Sequence, residues 1–403
     1  TIAPSPWNSN NKIVHIGIKG FDIEPASKPH SNLVFLIDTS GSMDEPNKLP
    51  LLINSFAMLL DTLGKDDTVS IVTYAGSAGT ALEPTKASEK AKILGALRNL
   101  SAGGSTAGAA GIEQAYNLAQ QNFDKEGVNR VILATDGDFN VGISDPEQLK
   151  EYIEKKRDTG IFLSVLGFGQ GNYQDELMQK LAQNGNGNAA YIDSINEARK
   201  VLVEEASSTL FTIAKDVKIQ VEFNKDTVSE YRLVGYETRM LNREDFNNDK
   251  VDAGEVGSGH AVTAIYEITP KGSKGLVDEL RYSTAPIVAT GNSSEYGFLK
   301  IRYKLPKEST SKLLTTPIVQ SQEVSDISKA SSDVRFATAV AAFGQKLHGD
   351  QYIGNFSFDD IIALAEKSKG ADKFGYRAEF INLVKSAKAA SSVNNPEPPV
   401  VME

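Results

Sequence analysis

Leu33-Val-Phe-Leu-Ile37 is an uninterrupted apolar run that stops at Asp38-Thr-Ser40-Gly-Ser42. A strand that is apolar at every position, not at alternate ones, is buried on both faces. Such strands belong to parallel sheets covered by helices on each side. Downstream, Leu49, Leu52, Ile53, Phe56, Leu60 and Leu63 recur at three- and four-residue steps, and Gly64 supplies a stop, so a helix follows the strand. The alternation continues with strands at 68–74, 130–135 and 161–166 and helices near 88–99, 107–123, 145–159, 173–183 and 195–207. The helix near 145–159 is well punctuated: Ser144 and Glu147 have capping-box spacing, Pro146 suits the first turn, and Gly160 can take a left-handed exit. The pattern predicts a doubly wound, mostly parallel α/β sheet over residues 31–212.

The rhythm changes on both sides of that unit. Residues 12–21 alternate and include Ile13, Val14, Ile16 and Ile18, a strand with no partner in the α/β pattern. From 213 to 325 strand-like runs dominate, at 217–223, 231–236, 261–268 and 298–303. The segment 12–30 is therefore expected to join this β-rich second domain. Residues 326–390 turn helical: Phe336, Val340, Phe343 and Leu347 share one helical face, as do Tyr376, Phe380, Leu383 and Val384, and Ser357 with Asp360 caps a third helix. Residues 1–11, rich in Pro, Ser and Asn, read as a linker in which Trp7 packs loosely. Residues 391–403 read as a disordered tail.

The 403 residues exceed what one core sustains, in keeping with several domains. A formal net charge of −10 without clustered Lys or Arg argues against nucleic acid and anionic membranes as partners. The absence of cysteine removes disulfides, thiolate metal sites and cysteine nucleophiles together. No apolar run approaches the roughly 20 residues of a membrane-spanning helix. The start at Thr1, without Met, leads us to expect further residues upstream, with a removed export signal among them.

Chemistry concentrates where the first buried strand ends, since open α/β sheets bind ligands at the carboxyl edge of their strands. Asp38, Ser40 and Ser42 place one carboxylate and two hydroxyls on a turning loop, and Gly41 lets the backbone approach closely. These are hard oxygen donors, suited to a cation that keeps several waters. Ser105-Thr106, in Gly103-Gly-Ser-Thr-Ala-Gly108, and Asp136, after the strand Val131-Ile-Leu-Ala-Thr135, are expected at the same edge. Taken singly, such Ser and Asp residues cap helices and close turns.

Asp-x-Ser-x-Ser, a Thr in a Gly-rich loop and Thr135-Asp136-Gly137, in that order, resemble the metal-ion-dependent adhesion site of von Willebrand factor A domains. A wider resemblance, to the bacterial YfbK-like family, runs through Leu133-Ala-Thr-Asp-Gly-Asp-Phe-Asn-Val141, Leu166-Gly-Phe-Gly-Gln-Gly171 and Ile213-Ala-Lys-Asp-Val-Lys-Ile-Gln-Val-Glu-Phe223. It continues in Asp333-Val-Arg-Phe-Ala-Thr-Ala-Val-Ala-Ala-Phe-Gly344 and Gly375-Tyr-Arg-Ala-Glu-Phe380, so it spans residues 13 to 390. The resemblance implies a divalent cation, Mg²⁺ ahead of Mn²⁺ or Ca²⁺, held by Asp38, Ser40, Ser42, Thr106 and Asp136. It further implies a protein ligand whose Asp or Glu completes the coordination, and a place in the bacterial cell envelope, with a lipid anchor upstream.

A binding or adhesion module is thus expected, and no enzyme. The competing classes are a metal-dependent hydrolase using the same ion and an accessory assembly factor for an envelope complex. A hydrolase needs a general base, and the nearby Asp44, Glu45 and Asp138 carry no mark of one. Gly167-x-Gly169-x-Gly171 lacks the spacing of a nucleotide loop. Asp245-x-Asn247-x-Asp249 opens like a calcium loop but has Lys250 and Val256 where Gly and Glu belong, so an acidic turn is expected there. His15, His30, His260 and His348 are scattered and form no catalytic pattern.

Overall fold

The computed structural model describes residues 1–24, 28–105, 108–137, 146–169, 174–206, 210–235, 241–249, 251, 253–276, 294–349 and 351–394. After two short opening strands, β1 (Ile2–Pro4) and β2 (Lys12–Lys19), the chain enters β3 (Ser31–Asp38), helix α1 (Leu49–Leu60), β4 (Thr68–Tyr74), β5 (Ala78–Lys86) and α2 (Lys90–Arg98). Next come α3 (Gly108–Gln121), β6 (Val128–Thr135), α4 (Pro146–Asp158), β7 (Ile161–Phe168), α5 (Asp175–Asn184), β8 (Ala189–Ile192) and α6 (Ile195–Arg199), which continues as a π-helical turn over Lys200–Glu204.

Strands β3 to β8 form one sheet in the order β5-β4-β3-β6-β7-β8, parallel except for the antiparallel edge β5. The central strand shows why the apolar run is continuous. Leu33, Phe35 and Ile37 pack with α1, α2 and α6 on one face. Val34 and Leu36 pack with α3, α4 and α5 on the other. Phe35 and Phe56 meet with ring centroids 4.2 Å apart. This is the doubly wound sheet the sequence predicts. Two of its strands were not expected. β5 contains Gly79 and Pro84, which an edge strand tolerates because one side of its backbone needs no ladder partner, and β8 has only four residues.

The remaining strands are β9 (Thr212–Phe223), β10 (Val228–Val234), β11 (Gly254–Gly257), β12 (Ala261–Pro270), β13 (Glu295–Lys304) and β14 (Lys312–Val319). They make two antiparallel sheets, β1-β2-β12-β10 and β11-β9-β13-β14. Val14, Ile16, Val228, Ala264 and Ile268 of the first pack against Tyr296, Leu299 and Ile318 of the second. β2 pairs with β12 over its whole length, from Lys19 opposite Ala261 to Lys12 opposite Ile268. The outgoing and returning chains meet at one turn. Gly20 N donates to His260 O at 2.8 Å, Gly259 N to Phe21 O at 3.0 Å, Ile23 N to Ser258 Oγ at 2.8 Å, and Ser258 N to Phe211 O at 2.8 Å.

Residues 1–11 are not a linker. β1 pairs with β2, and Trp7 meets Phe356 edge to face at 6.1 Å. The polar composition has a different cause: Ser5 Oγ, Trp7 Nε1 and Asn11 Nδ2 all donate to Oε1 of the buried Glu267, at 3.3, 3.0 and 2.9 Å. Its other oxygen pairs with Arg232, whose guanidinium also donates to Gln345 and lies 4.2 Å over the Tyr352 ring.

Three helices close the chain: α7 (Ser332–Leu347), α8 (Phe358–Ser368) and α9 (Tyr376–Asn394). Their core is Ala339, Ala342, Phe343, Ile361, Ala365, Ile381 and Val384. The expected stripe is shifted, because small alanines allow close approach and leave Val340, Leu347 and Leu383 exposed. Ser357 and Asp360 form the expected capping box. α9 includes Ser391 to Asn394, so helix replaces the start of the expected tail, and 395–403 lie outside the described residues, as does Ser144.

Candidate metal centre

Asp38 ends β3, and β6 runs parallel beside it with Ile37 opposite Ala134, which puts Asp136 at the same edge of the sheet. Both carboxylates are buried, Asp38 at 0% and Asp136 at 2% exposure. Asp38 Oδ1 accepts from Ser40 N at 2.8 Å and Oδ2 from Thr135 Oγ1 at 3.3 Å. Ser40 Oγ and Ser42 Oγ lie 3.0 Å apart. Burial pushes the Asp38 carboxyl above its ordinary range; hydrogen bonds from Ser40 oppose that rise, and the neighbouring Asp136 charge adds to it. Tyr74, level with Asp38 on β4, is fully buried beside it.

The glycine-rich loop is stitched to this turn by Gly41 N to Gly104 O at 3.1 Å and Gly103 N to Thr39 O at 2.8 Å. Gly104 adopts φ +82°, a left-handed conformation that favours glycine. Ser105 is the last described residue of that loop. Thr106 lies outside the described residues, as does Asp138. The structure thus brings Asp38, Ser40, Ser42 and Asp136 together and leaves Thr106 unplaced. Asp44 and Glu45 are exposed.

Sequence reasoning missed Lys48. Its ammonium is buried at 4% exposure and donates to Ser42 O at 2.9 Å and Asp136 Oδ2 at 3.1 Å, with Glu45 at 3.8 Å. A signal existed: Lys48 holds the N-cap of α1, where the helix dipole disfavours a cation and an acid or hydroxyl is the usual choice. Gly169 belongs to the same arrangement. At φ +82°, its missing Cβ would lie 2.5 Å from Lys48 Cε and 2.6 Å from Cγ, so the lysine stem lies against the glycine backbone. Gly169 of the glycine motif therefore makes room for a side chain, while Gly171 lies outside the described residues.

The donor set fits a divalent cation. Two carboxylates and two hydroxyls are hard oxygen ligands, and an ammonium already sits on one carboxylate where positive charge is favoured. Among the described residues no group of three His, Cys, Asp or Glu side chains gathers, so a soft or carboxylate-rich site is not offered.

The calcium-loop look-alike is already neutralised. Lys218 donates to the carbonyls of Asp245 and Asn248, and Lys304 to that of Asp249. Arg302 donates to Asp249 Oδ1 at 3.0 Å and Ser311 Oγ does so at 2.8 Å. The hydrogen bond from Ser311, joined by Arg302 and opposed by burial, holds the Asp249 carboxyl below its ordinary range. Basic side chains of β9 and β13 fill the place a cation would take.

The family model of the von Willebrand factor type A domain matches residues 32–204, and the model "Uncharacterized protein YfbK, C-terminal" matches residues 208–390. Over 394 residues the chain is 45% identical to the YfbK protein of Escherichia coli K12, covering 98% of this chain and 68% of that one. The chain belongs to the YfbK family. Its A domain is of a kind that generally mediates metal-dependent protein interaction. The inter-alpha-trypsin inhibitor heavy chain H3 of Mesocricetus auratus is 26% identical, over 62% of this chain and 30% of the hamster protein. Among solved structures, a von Willebrand factor type A protein from Catenulispora acidiphila aligns with a TM-score of 0.47 at 16% identity, over 91% of this chain and 85% of that one. A mussel byssus proximal thread matrix protein with a zinc-occupied site of the adhesion type gives 0.37 at 22% identity, over 47% and 46%. Divalent-cation binding is a property of such domains. No helix among the described residues is long and apolar enough to cross a membrane.

Proposed function

We propose that this YfbK-family chain is a metal-ion-dependent protein-binding module of the bacterial cell envelope. Mg²⁺, held by Asp38, Ser40, Ser42, Thr106 and Asp136, presents an open position to an Asp or Glu of a protein partner. The observation that carries the reading is the cluster at the carboxyl edge of the sheet, in which Asp38, Ser40 and Asp136 are buried and Ser42 is half-buried. It contains only two carboxylates, so a bound divalent ion keeps its attraction for an incoming anion. The site acts by binding, not by turnover; its neighbours Asp44 and Glu45 are exposed, and Glu45 lies 3.8 Å from the Lys48 ammonium, which favours its charged form over a base tuned by burial.

Calorimetric titration of wild type and Asp38→Ala with Mg²⁺ and Mn²⁺ tests the site. The wild type should bind and the variant should lose at least a hundredfold in affinity; equal affinity overturns the assignment. Partner capture from envelope extract should vanish with chelator and with Asp38→Ala. An Asp38→Ala protein that has lost metal but still captures the partner makes the ion structural and ends the adhesion reading. Fractionation of cells expressing the full-length gene product tests the location, and recovery in the cytoplasmic fraction refutes it.

A further inference from the structure

Lys48 approaches the candidate metal centre from a position no ordinary helix cap would choose. Its stem is packed on Gly169 and its ammonium is shut away from solvent between the Ser42 carbonyl and Asp136. A buried lysine at a helix N-terminus is opposed by both desolvation and the dipole, so its neighbours must compensate it. Asp136 is the buried charge that does so. Asp136 is also one of the two carboxylates that the proposed function gives to the ion.

We propose that Lys48 is a built-in cation of the metal centre, sharing Asp136 with the divalent ion and setting how tightly that ion binds. The proposal rests on the metal-binding reading above. Two carboxylates alone neutralise a divalent ion completely. With Lys48 present the buried side chains carry one net negative charge, so the loaded buried centre keeps one net positive charge, and the exposed Glu45 carboxylate, 3.8 Å from the ammonium, is screened by solvent. That surplus favours an anionic ligand from a partner, and it weakens the hold on the ion because like charges share one buried carboxylate. Lys48 thereby exchanges metal affinity for ligand affinity, and it is a positioning residue that acts through Asp136.

The test is titration of Lys48→Met with Mg²⁺ and Mn²⁺ beside the wild type, with thermal melting of both proteins in chelator. Methionine keeps an apolar stem against Gly169 and removes the charge. The proposal expects Mg²⁺ affinity at least tenfold tighter in the variant, together with a lower melting temperature in chelator, where two buried carboxylates have lost their cation. A purely structural lysine would lower the melting temperature and leave affinity unchanged, and that outcome, or weaker binding, overturns the proposal. If the wild type takes up no metal and Lys48→Met does, the proposal stands and the wild-type metal reading fails; silence in both proteins overturns both. Should Lys48→Met fail to fold, ¹⁵N spectra of the wild-type lysine Nζ groups serve instead. Addition of Mg²⁺ should move the Lys48 resonance, and an unmoved resonance under saturating metal overturns the proposal.

Discussion

Replacing Glu267 with Ala should undo the attachment of the first eleven residues and much of the stability of the sheet that holds them. The Glu267 side chain is 2% exposed and accepts from Ser5, Trp7, Asn11 and Arg232. Ser5 and Asn11 are themselves buried, at 5% and 4%, so water cannot simply take the carboxylate's place. Removing one partner of a buried ion pair costs about 3–5 kcal/mol. Each neutral donor left without an acceptor adds about 1 kcal/mol before relaxation. Arg232, with 20% of its side chain exposed, can turn toward solvent and recover part of this, so the expected loss is about 4 kcal/mol. That is a large share of the ~5–15 kcal/mol typical of a domain. Glu267→Gln keeps an acceptor for Ser5, Trp7 and Asn11 but loses the charge and turns an NH2 toward Arg232, so about 2 kcal/mol is expected. The assay is built in, because Trp7 is the sole tryptophan of the chain. Urea unfolding followed by its fluorescence should show an earlier transition and an emission shifted to the red in Glu267→Ala before any urea is added. A loss under about 1 kcal/mol with unchanged emission would refute the assignment of Glu267 as the hub, since no buried charge would then have been left unpaired.

Deleting residues 1–19 strips β1 and β2 from the edge of β12, and amide exchange in 261–270 should rise by orders of magnitude; unchanged exchange would show that the sheet holds without them. Burial raises the Asp38 pKa above 3.8, so the folded chain holds that proton more tightly than the unfolded chain. In chelator, stability should therefore fall as pH climbs from 3.8 through the raised folded-state value, and Asp38→Asn should remove that part of the slope in denaturant titrations taken at a series of pH values. Gly169→Ala should cost about 1–2 kcal/mol for the left-handed backbone, seen as a lower melting temperature, and should also disturb Lys48, whose stem occupies the space of the new methyl. Addition of Ca²⁺ to Asp38→Ala should leave amide exchange in 243–249 unchanged, because Lys218, Arg302 and Lys304 already saturate that loop.

What could be read in the sequence was what is local and what is buried on two sides. β3, β4, β6 and β7 announce themselves because each faces helices on both sides and carries apolar residues on both faces, and the helices between them carry a 3.6-residue stripe. β5 and β8 do not, since an edge strand with Pro84 or a four-residue strand lacks the pattern that burial imposes. The opening residues misled for a different reason: their polarity serves Glu267, some 260 residues away, and no local rule can see an acceptor at that distance. Asp38, Ser40 and Ser42 are contiguous and could be grouped from sequence. Asp136 joins them through the register of β3 with β6, and Lys48 meets Asp136 across 88 positions, so only the folded sheet shows that an ammonium belongs to the group.

The turn at 257–260 fastens both leads of the α/β unit, the outgoing one through residues 20–23 and the returning one through Phe211. In mechanical terms the unit is a loaded bracket with two feet on one plate. A pull entering at the Asp38 edge crosses the sheet along β3 and leaves through two peptide leads in parallel, each continuing into a strand, β2 or β9, of a different sheet. Tension applied at that edge is thereby divided between the two sheets as shear along strands, the direction in which a ladder of hydrogen bonds resists together.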